Sequence, residues 1–140
     1  MRTPLLALIC LCGLPFSAWS QLDLNEPYHI KSIFFGGGSY YIDGGQAQEL
    51  FDFLDQIPDI EQYEIIIQSH TDNIGSLESN QRLSRMRSEA AYRLLLKKPI
   101  AAESMVIMDF GETSPVYDNR TWEGKLANRR VDVIIRKIQL

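Results

Sequence analysis

Cysteine is nearly absent from this sequence. Its two cysteines, Cys10 and Cys12, both lie within the first 20 residues. A chain that loses this segment has no thiol for a disulfide or a thiolate metal site, even in an oxidising compartment. Histidine is also scarce: His29 and His70 form no His-x-x-x-His pair, so the sequence predicts neither a metal site nor a cofactor. We expect His70 to make local hydrogen bonds instead.

Basic residues and long apolar runs are scarce as well. The 14 lysines and arginines are outnumbered by 18 acidic residues, and without Arg2 the count becomes 13 against 18, a formal charge of −5. Proteins that bind nucleic acid or anionic membranes generally need a basic face, so this balance argues against both partners. After residue 20, no apolar stretch is long enough to span a bilayer, so we expect no transmembrane segment in the mature chain.

The first 20 residues have the organisation of a secretory signal peptide. Met1-Arg2 is a short positive region, residues 5–16 are mostly apolar, and Ser17-Ala18-Trp19-Ser20 supplies small residues for a cleavage site. We therefore expect cleavage after Ser20 and export of the mature chain. An uncleaved anchor is the alternative interpretation.

One domain, residues 30–140, follows a short polar lead-in at residues 21–29, and it is long enough for a single core. Apolar periodicity predicts four strands, at residues 30–35, 62–68, 104–109 and 129–137. It predicts two helices, at residues 43–57 and 76–97, and a polar loop between residues 110 and 128. Helices that alternate with strands predict a small α/β (α+β) sandwich, with a mixed four-stranded sheet and two main helices packed on one face.

The segment after the second predicted strand holds the residues with the clearest chemistry. Asp72 lies in a polar turn at the end of that strand, and Arg87 lies inside the following helix. A parallel crossover places the end of a strand and the first turns of the next helix together. A carboxylate and a guanidinium so placed can hold a ligand with both charges, such as the free end of an amino acid. The alternatives are a local turn role for Asp72 and an ordinary surface arginine at Arg87.

Several separated blocks of sequence occur in a distinctive order. They are His70-Thr71-Asp72-Asn73-x-Gly75, Asn80, Leu83-Ser84, Arg87-Ser88, Gly111-Glu112-x-x-Pro115, Asn119, Gly124 and Asn128-Arg129-Arg130-Val131. In order and spacing they resemble the C-terminal domain of the outer membrane protein OmpA, which also occurs in the peptidoglycan-associated lipoprotein and in flagellar stator subunits. The resemblance covers roughly residues 30–137 and implies that domain's βαβαββ fold.

The resemblance implies non-covalent binding of peptidoglycan through the diaminopimelate of a stem peptide. Such binding would anchor the protein to the cell wall in the periplasm, near the outer membrane of a Gram-negative cell. The resemblance also implies that Asp72 and Arg87 hold the amino and carboxylate groups of diaminopimelate and that Asn80 lines the pocket. It implies a further ligand-facing arginine at Arg130, although the residues alone do not decide between Arg129 and Arg130. The predicted ligand-binding set is completed by Thr71, Asn73 and Leu83.

The sequence departs from the family pattern in the loop after the first strand. The family usually has acidic residues there, whereas this chain has Gly36-Gly37-Gly38, whose amides can still approach a ligand closely. Two alternatives to a non-enzymatic wall-binding module therefore stay open. One is an interaction module for other envelope proteins with a degenerate ligand site. The other is a wall hydrolase that uses Asp72 with Glu78 or Glu112 as an acid/base pair.

Overall fold

The computed structural model describes residues 28–138. The predicted signal peptide and most of the predicted lead-in therefore lie outside the described residues. The main elements, in chain order, are β1 (Tyr28–Phe34), α1 (Gly44–Asp55), β2 (Tyr63–His70), α2 (Leu77–Leu95), β3 (Met105–Gly111), α3 (Trp122–Asn128) and β4 (Arg130–Lys137). The four strands and two long helices predicted from periodicity agree with these bounds to within two residues.

The four strands form one mixed sheet in the order β1-β4-β2-β3. The last strand of the chain, β4, lies between β1 and β2 and runs antiparallel to both, whereas β2 and β3 are parallel. This arrangement confirms the predicted mixed four-stranded sheet of an α+β sandwich. It also brings the chain that enters β4 next to the ends of β1 and β2.

The core lies between one face of the sheet and the two long helices. Alternate residues of β4 (Val131, Val133 and Ile135) are fully buried there, as the strand period predicts. They pack in one apolar cluster with Leu50 and Leu54 of α1 and with residues of α2 and of β1 and β2. Both long helices therefore cover the same face of the sheet, as predicted.

Side-chain caps fix where the two long helices begin. The Asp43 carboxylate accepts a hydrogen bond from the Gln46 backbone N–H at 2.9 Å, and the Ser76 hydroxyl accepts one from the Ser79 backbone N–H at 3.2 Å. Both bonds satisfy donors of the first helical turn that have no partner within the helix. In residues 28–138, no helix combines the length and the apolar composition that crossing a membrane requires.

The polar loop predicted between residues 110 and 128 is only partly correct, because its second half forms the short helix α3. The Thr121 hydroxyl caps this helix by accepting from the Gly124 backbone N–H at 3.0 Å. Only seven residues are helical, too few to show an apolar stripe. Position 124 requires a glycine because the backbone of Asp118 lies too close for a side chain. A Cβ there would lie 2.0 Å from the Asp118 carbonyl oxygen.

Replacing Gly124 with alanine should therefore destabilise the fold. We expect Gly124→Ala to lower the free energy of unfolding by about 1–3 kcal/mol or more, because the added methyl group overlaps the backbone of the preceding turn. Urea denaturation would measure the change. The matched control is Gly44→Ala at the start of α1, where a Cβ meets nothing within 4 Å, so its stability should equal or slightly exceed that of the wild type. Equal stability of both variants would contradict the packing described for α3.

Candidate ligand-binding site

A small cavity of about 230 Å³ lies where β2 ends, α2 begins and the chain enters β4. We call it the β2 cavity. Five of the seven residues predicted as ligand-binding line it: Thr71, Asp72, Asn80, Leu83 and Arg87. The other two, Asn73 and Arg130, are not among its lining residues, and Arg129 lines it instead. The glycine loop after β1 contributes Gly37 and Gly38 to the wall.

The carboxylate of Asp72 is buried and already has partners. Its Oδ2 accepts a hydrogen bond from Nε of Arg129 at 2.6 Å, and its Oδ1 accepts one from the Ile74 backbone N–H at 3.1 Å. The second bond is the local turn interaction considered from the sequence. The first is an ion pair in which both side chains are only 8% exposed, so the two charges are largely removed from solvent. Asp72 thus stabilises its own turn through the hydrogen bond with Ile74 and also lines the cavity.

The guanidinium of Arg129 lies beside a carboxylate, an aromatic ring and the glycine loop after β1. Its guanidinium is paired with Asp72 and lies 5.0 Å from the centre of the Trp122 ring, within the range of a cation–π contact. A Cβ on Gly37 would lie 3.4 Å from Nη1 of Arg129. The glycine loop therefore lies directly against this guanidinium. A larger side chain at position 37 would compete with Arg129 for the same space.

Arg87 is fully buried, so it is not an ordinary surface arginine. It donates hydrogen bonds from Nε to the Ser39 carbonyl at 2.8 Å, from Nη1 to the His70 carbonyl at 2.9 Å and from Nη2 to the Gly36 carbonyl at 3.1 Å. Burial lowers the pKa of Arg87 to about 10, an effect that the charge of Asp72 opposes and that of Arg129 adds to. The guanidinium remains charged at neutral pH. It links α2 to the loop after β1 and to the end of β2.

Asn80 connects the turn of Asp72 to the end of β3. Its Nδ2 donates to the Asp72 carbonyl oxygen at 3.2 Å and also to the carboxylate of Glu112. Glu78, the other acidic residue considered for catalysis, has a side chain that is 88% exposed and forms a 3.5 Å ion pair with Arg82. Neither Glu78 nor Glu112 is among the residues that line the β2 cavity.

The two predicted site residues outside the cavity have other contacts. The exposed Asn73 accepts a hydrogen bond from Lys125 at 3.1 Å. Arg130, the first residue of β4, pairs with Asp132 at 2.9 Å and lies over the ring of Tyr117. Consecutive residues at the start of a strand point in different directions, so Arg129 lines the cavity and Arg130 does not. Arg129 precedes β4 as the C-cap of α3, and Arg130 is the first residue of the strand.

His70 is the last residue of β2, a strand-end position, but its ring does not make the local hydrogen bonds that the sequence led us to expect. The ring is buried and stacks on Phe110 with centroids 5.2 Å apart, and neither nitrogen has a hydrogen-bond partner among residues 28–138. Burial and the nearby charge of Arg130 lower the pKa of His70, while Asp132 and the backbone of Ser114 act in the opposite direction. The Ser114 group makes no hydrogen bond of good geometry with the ring. In the described part of the chain, no cluster of three or more His, Cys, Asp or Glu side chains is placed to hold a metal ion.

Comparisons with known proteins agree with the resemblance. The model of the OmpA family matches residues 34–129. The outer membrane porin F of Pseudomonas fluorescens is 34% identical over 91 residues, which cover 65% of this chain and 27% of that protein. Motility protein B of Bacillus subtilis is 38% identical over 112 residues, which cover 74% of this chain and 42% of that protein. The chain thus spans less than half the length of these relatives.

A solved structure shares the fold. The peptidoglycan-associated lipoprotein from Burkholderia pseudomallei superposes with a TM-score of 0.63 and 28% sequence identity. The match covers 75% of this chain and 89% of that one. The sheet and the helices that surround the β2 cavity therefore belong to an arrangement already observed by experiment.

Replacing Arg87 with lysine should destabilise the fold although it conserves the charge. A lysine has one ammonium group and cannot reach three separate carbonyl groups with the geometry of a guanidinium. We expect Arg87→Lys to lose about 3 kcal/mol of unfolding free energy, measured by urea denaturation. Arg85→Lys is the matched control, because the side chain of Arg85 is 65% exposed and contacts Asp109 only at 4.0 Å. Wild-type stability in Arg87→Lys would contradict the structural role.

Replacing His70 with phenylalanine should reduce the loss of stability at low pH. Because the folded-state pKa of His70 lies below its ordinary value of 6.5, protonation favours the unfolded chain. The stabilisation by neutral His70 is complete above that value and is lost as the pH falls through it towards the folded-state pKa. Between about pH 7 and pH 5, the unfolding free energy should therefore fall less in His70→Phe than in the wild type. His29→Phe, at an exposed histidine, should keep the wild-type dependence, and identical curves for all three proteins would contradict this account.

Proposed function

Because the chain belongs to the OmpA family, we propose that it binds peptidoglycan without catalysis and is thereby retained at the cell wall in the periplasm. The ligand is the diaminopimelate of a stem peptide, which carries an amino group and a carboxylate on its free side-chain end. The observation that supports this most directly is that the β2 cavity brings one carboxylate, Asp72, next to two guanidinium groups, Arg87 and Arg129. A dipolar amino-acid end complements such a set of charges.

In the proposed complex, the ligand's ammonium group takes the place of Arg129 beside Asp72. Its carboxylate then lies between Arg129 and Arg87. Arg87 uses three of its five N–H groups on backbone carbonyls, one from each nitrogen, which leaves one further N–H on each terminal nitrogen. Those two N–H groups suit a carboxylate, which accepts two parallel hydrogen bonds. Because Arg87 is fully buried, the ligand reaches these N–H groups only after neighbouring side chains move.

A module of this kind binds one stem peptide weakly and a whole wall firmly. A charge-assisted hydrogen bond contributes about 1.5–3 kcal/mol net, and a few of them must offset the entropy lost on association. The wall presents the same ligand many times. Dissociation from one stem peptide is therefore followed by rebinding at a neighbour, which retains the protein without a tight single site.

The contacts of the acidic residues favour binding over hydrolysis. Both oxygens of Asp72 accept hydrogen bonds, one of them from a guanidinium. A glycosidase needs a second carboxylate at a set distance, with a pKa that differs from that of the first. Neither Glu78 nor Glu112 lines the cavity: Glu78 pairs with Arg82, and Glu112 accepts a hydrogen bond from Asn80. We therefore propose that the cavity holds the stem peptide and leaves its bonds intact.

Replacing Asp72 with asparagine should weaken wall binding. The substitution keeps the shape of the side chain and removes the negative charge that faces the ligand's ammonium group. We expect the apparent affinity for purified diaminopimelate-type sacculi, measured by co-sedimentation, to fall about tenfold or more, the equivalent of losing one charge-assisted hydrogen bond.

The matched control for this experiment is Asp132→Asn. Asp132 also forms an ion pair with a mostly buried arginine, at 2.9 Å, but it does not line the β2 cavity. This control should lose stability and keep wild-type sedimentation. The proposal is contradicted if Asp72→Asn sediments as the wild type does, or if both variants lose binding equally. Release of soluble fragments from the sacculi would instead indicate a hydrolase.

A further inference from the structure

A second and larger depression lies beside the β2 cavity. It has a volume of about 690 Å³ and runs between residues 39–42 and the C-terminal half of α2. We call it the tyrosine groove, because Tyr40 and Tyr41 line it and are 49% and 75% exposed. Both tyrosines lie beside apolar residues of α2, namely Met86, Ala90 and Leu94. The family resemblance assigns no residue of this groove.

The β2 cavity and the tyrosine groove are consecutive parts of one surface along α2. Leu83 and Arg87 line the cavity, and Ala90, Leu94 and Lys97 line the groove. Leu83, Arg87, Ala90 and Leu94 are spaced by three or four residues and so lie on one face of the helix. Lys97 follows its C-terminal end. The same chain segment borders both spaces: Gly37 and Gly38 line the cavity, and Ser39, whose carbonyl accepts from Arg87, lines the groove.

The distance between the two spaces matches the geometry of the proposed ligand. Arg87 and Leu94 are seven residues apart on α2, which corresponds to about 10 Å along the helix axis. Diaminopimelate is the third residue of a stem peptide, and three extended residues span about 10 Å at roughly 3.3–3.6 Å each. Its side chain, whose free end enters the cavity, extends this reach further. A stem peptide that places its diaminopimelate in the cavity can therefore deliver its sugar to the groove.

The chemistry of the groove suits a sugar that carries a peptide. The broad apolar faces of tyrosine rings pack against the C–H faces of a sugar, and their hydroxyl groups remain available for hydrogen bonds with its hydroxyls. The groove is also bordered by Arg93 and Lys97. Arg93 is paired with Glu89 at 3.7 Å. The ammonium group of Lys97 lies beyond Leu94 and can donate hydrogen bonds to hydroxyl groups of the sugar.

We propose that the tyrosine groove binds the sugar portion of the muropeptide whose diaminopimelate enters the β2 cavity. This inference rests on the proposed function, and it makes the glycan part of the recognised ligand. The protein then distinguishes a stem peptide attached to sugar from the same peptide when free. Wall fragments that retain the disaccharide bind better than free peptides.

Calorimetric titration with two soluble probes tests this directly. The probes are a disaccharide-tetrapeptide that contains meso-diaminopimelate and the same tetrapeptide without sugar. We expect the wild type to bind the first about tenfold more tightly, the effect of removing on the order of 60 Å² of further apolar surface from water. The double variant Tyr40→Ala/Tyr41→Ala should lose this difference and keep wild-type affinity for the free tetrapeptide.

The controls separate this inference from the function on which it rests. Tyr28→Ala removes a tyrosine of 40% exposure from the far end of β1 and should preserve the tenfold difference. Equal affinity of the wild type for both probes, or an unchanged preference in the double tyrosine variant, overturns the role of the groove while leaving stem-peptide binding in place. Failure of both probes to bind overturns the proposed function and this inference with it.

Discussion

The arrangement of the site depends on one buried cation. The guanidinium of Arg87 reaches from α2 to the carbonyl groups of Gly36, Ser39 and His70. A buried charge is costly unless its donors are satisfied, and an arginine can satisfy several carbonyls at once because its five N–H groups lie in a fixed plane. These bonds connect the loop after β1 and the end of β2 to the helix. The cavity exists because these segments are held around it.

The β2 cavity contains charged groups of both signs. Asp72 faces two guanidinium groups and is already paired with one of them, Arg129. In the free protein this pair neutralises the Asp72 carboxylate, so a ligand's ammonium group must replace the guanidinium of Arg129 when it binds. Gly37 borders the Arg129 guanidinium, and a Cβ there would make an ordinary contact with it.

The sequence predicts the long elements and five of the residues that line the β2 cavity, and its failures have physical causes. Periodicity locates the strands and long helices because each buries a continuous apolar stripe. It misses α3, whose seven residues are defined by the Thr121 cap and by close packing at Gly124. The place of β4 between β1 and β2 is a tertiary choice that no local pattern encodes. The choice of Arg129 over Arg130, and the unpaired ring of His70, depend on that same placement.

The structure of the protein bound to meso-diaminopimelate tests the central claim most directly. We expect a crystal of this complex to show the ligand's ammonium group within about 3 Å of the Asp72 carboxylate. The ligand's carboxylate should lie between the guanidinium groups of Arg87 and Arg129, and the Nε–Oδ2 contact between Arg129 and Asp72 should be broken. A ligand bound elsewhere, with Asp72 and Arg129 still paired and the β2 cavity vacant, would contradict the account.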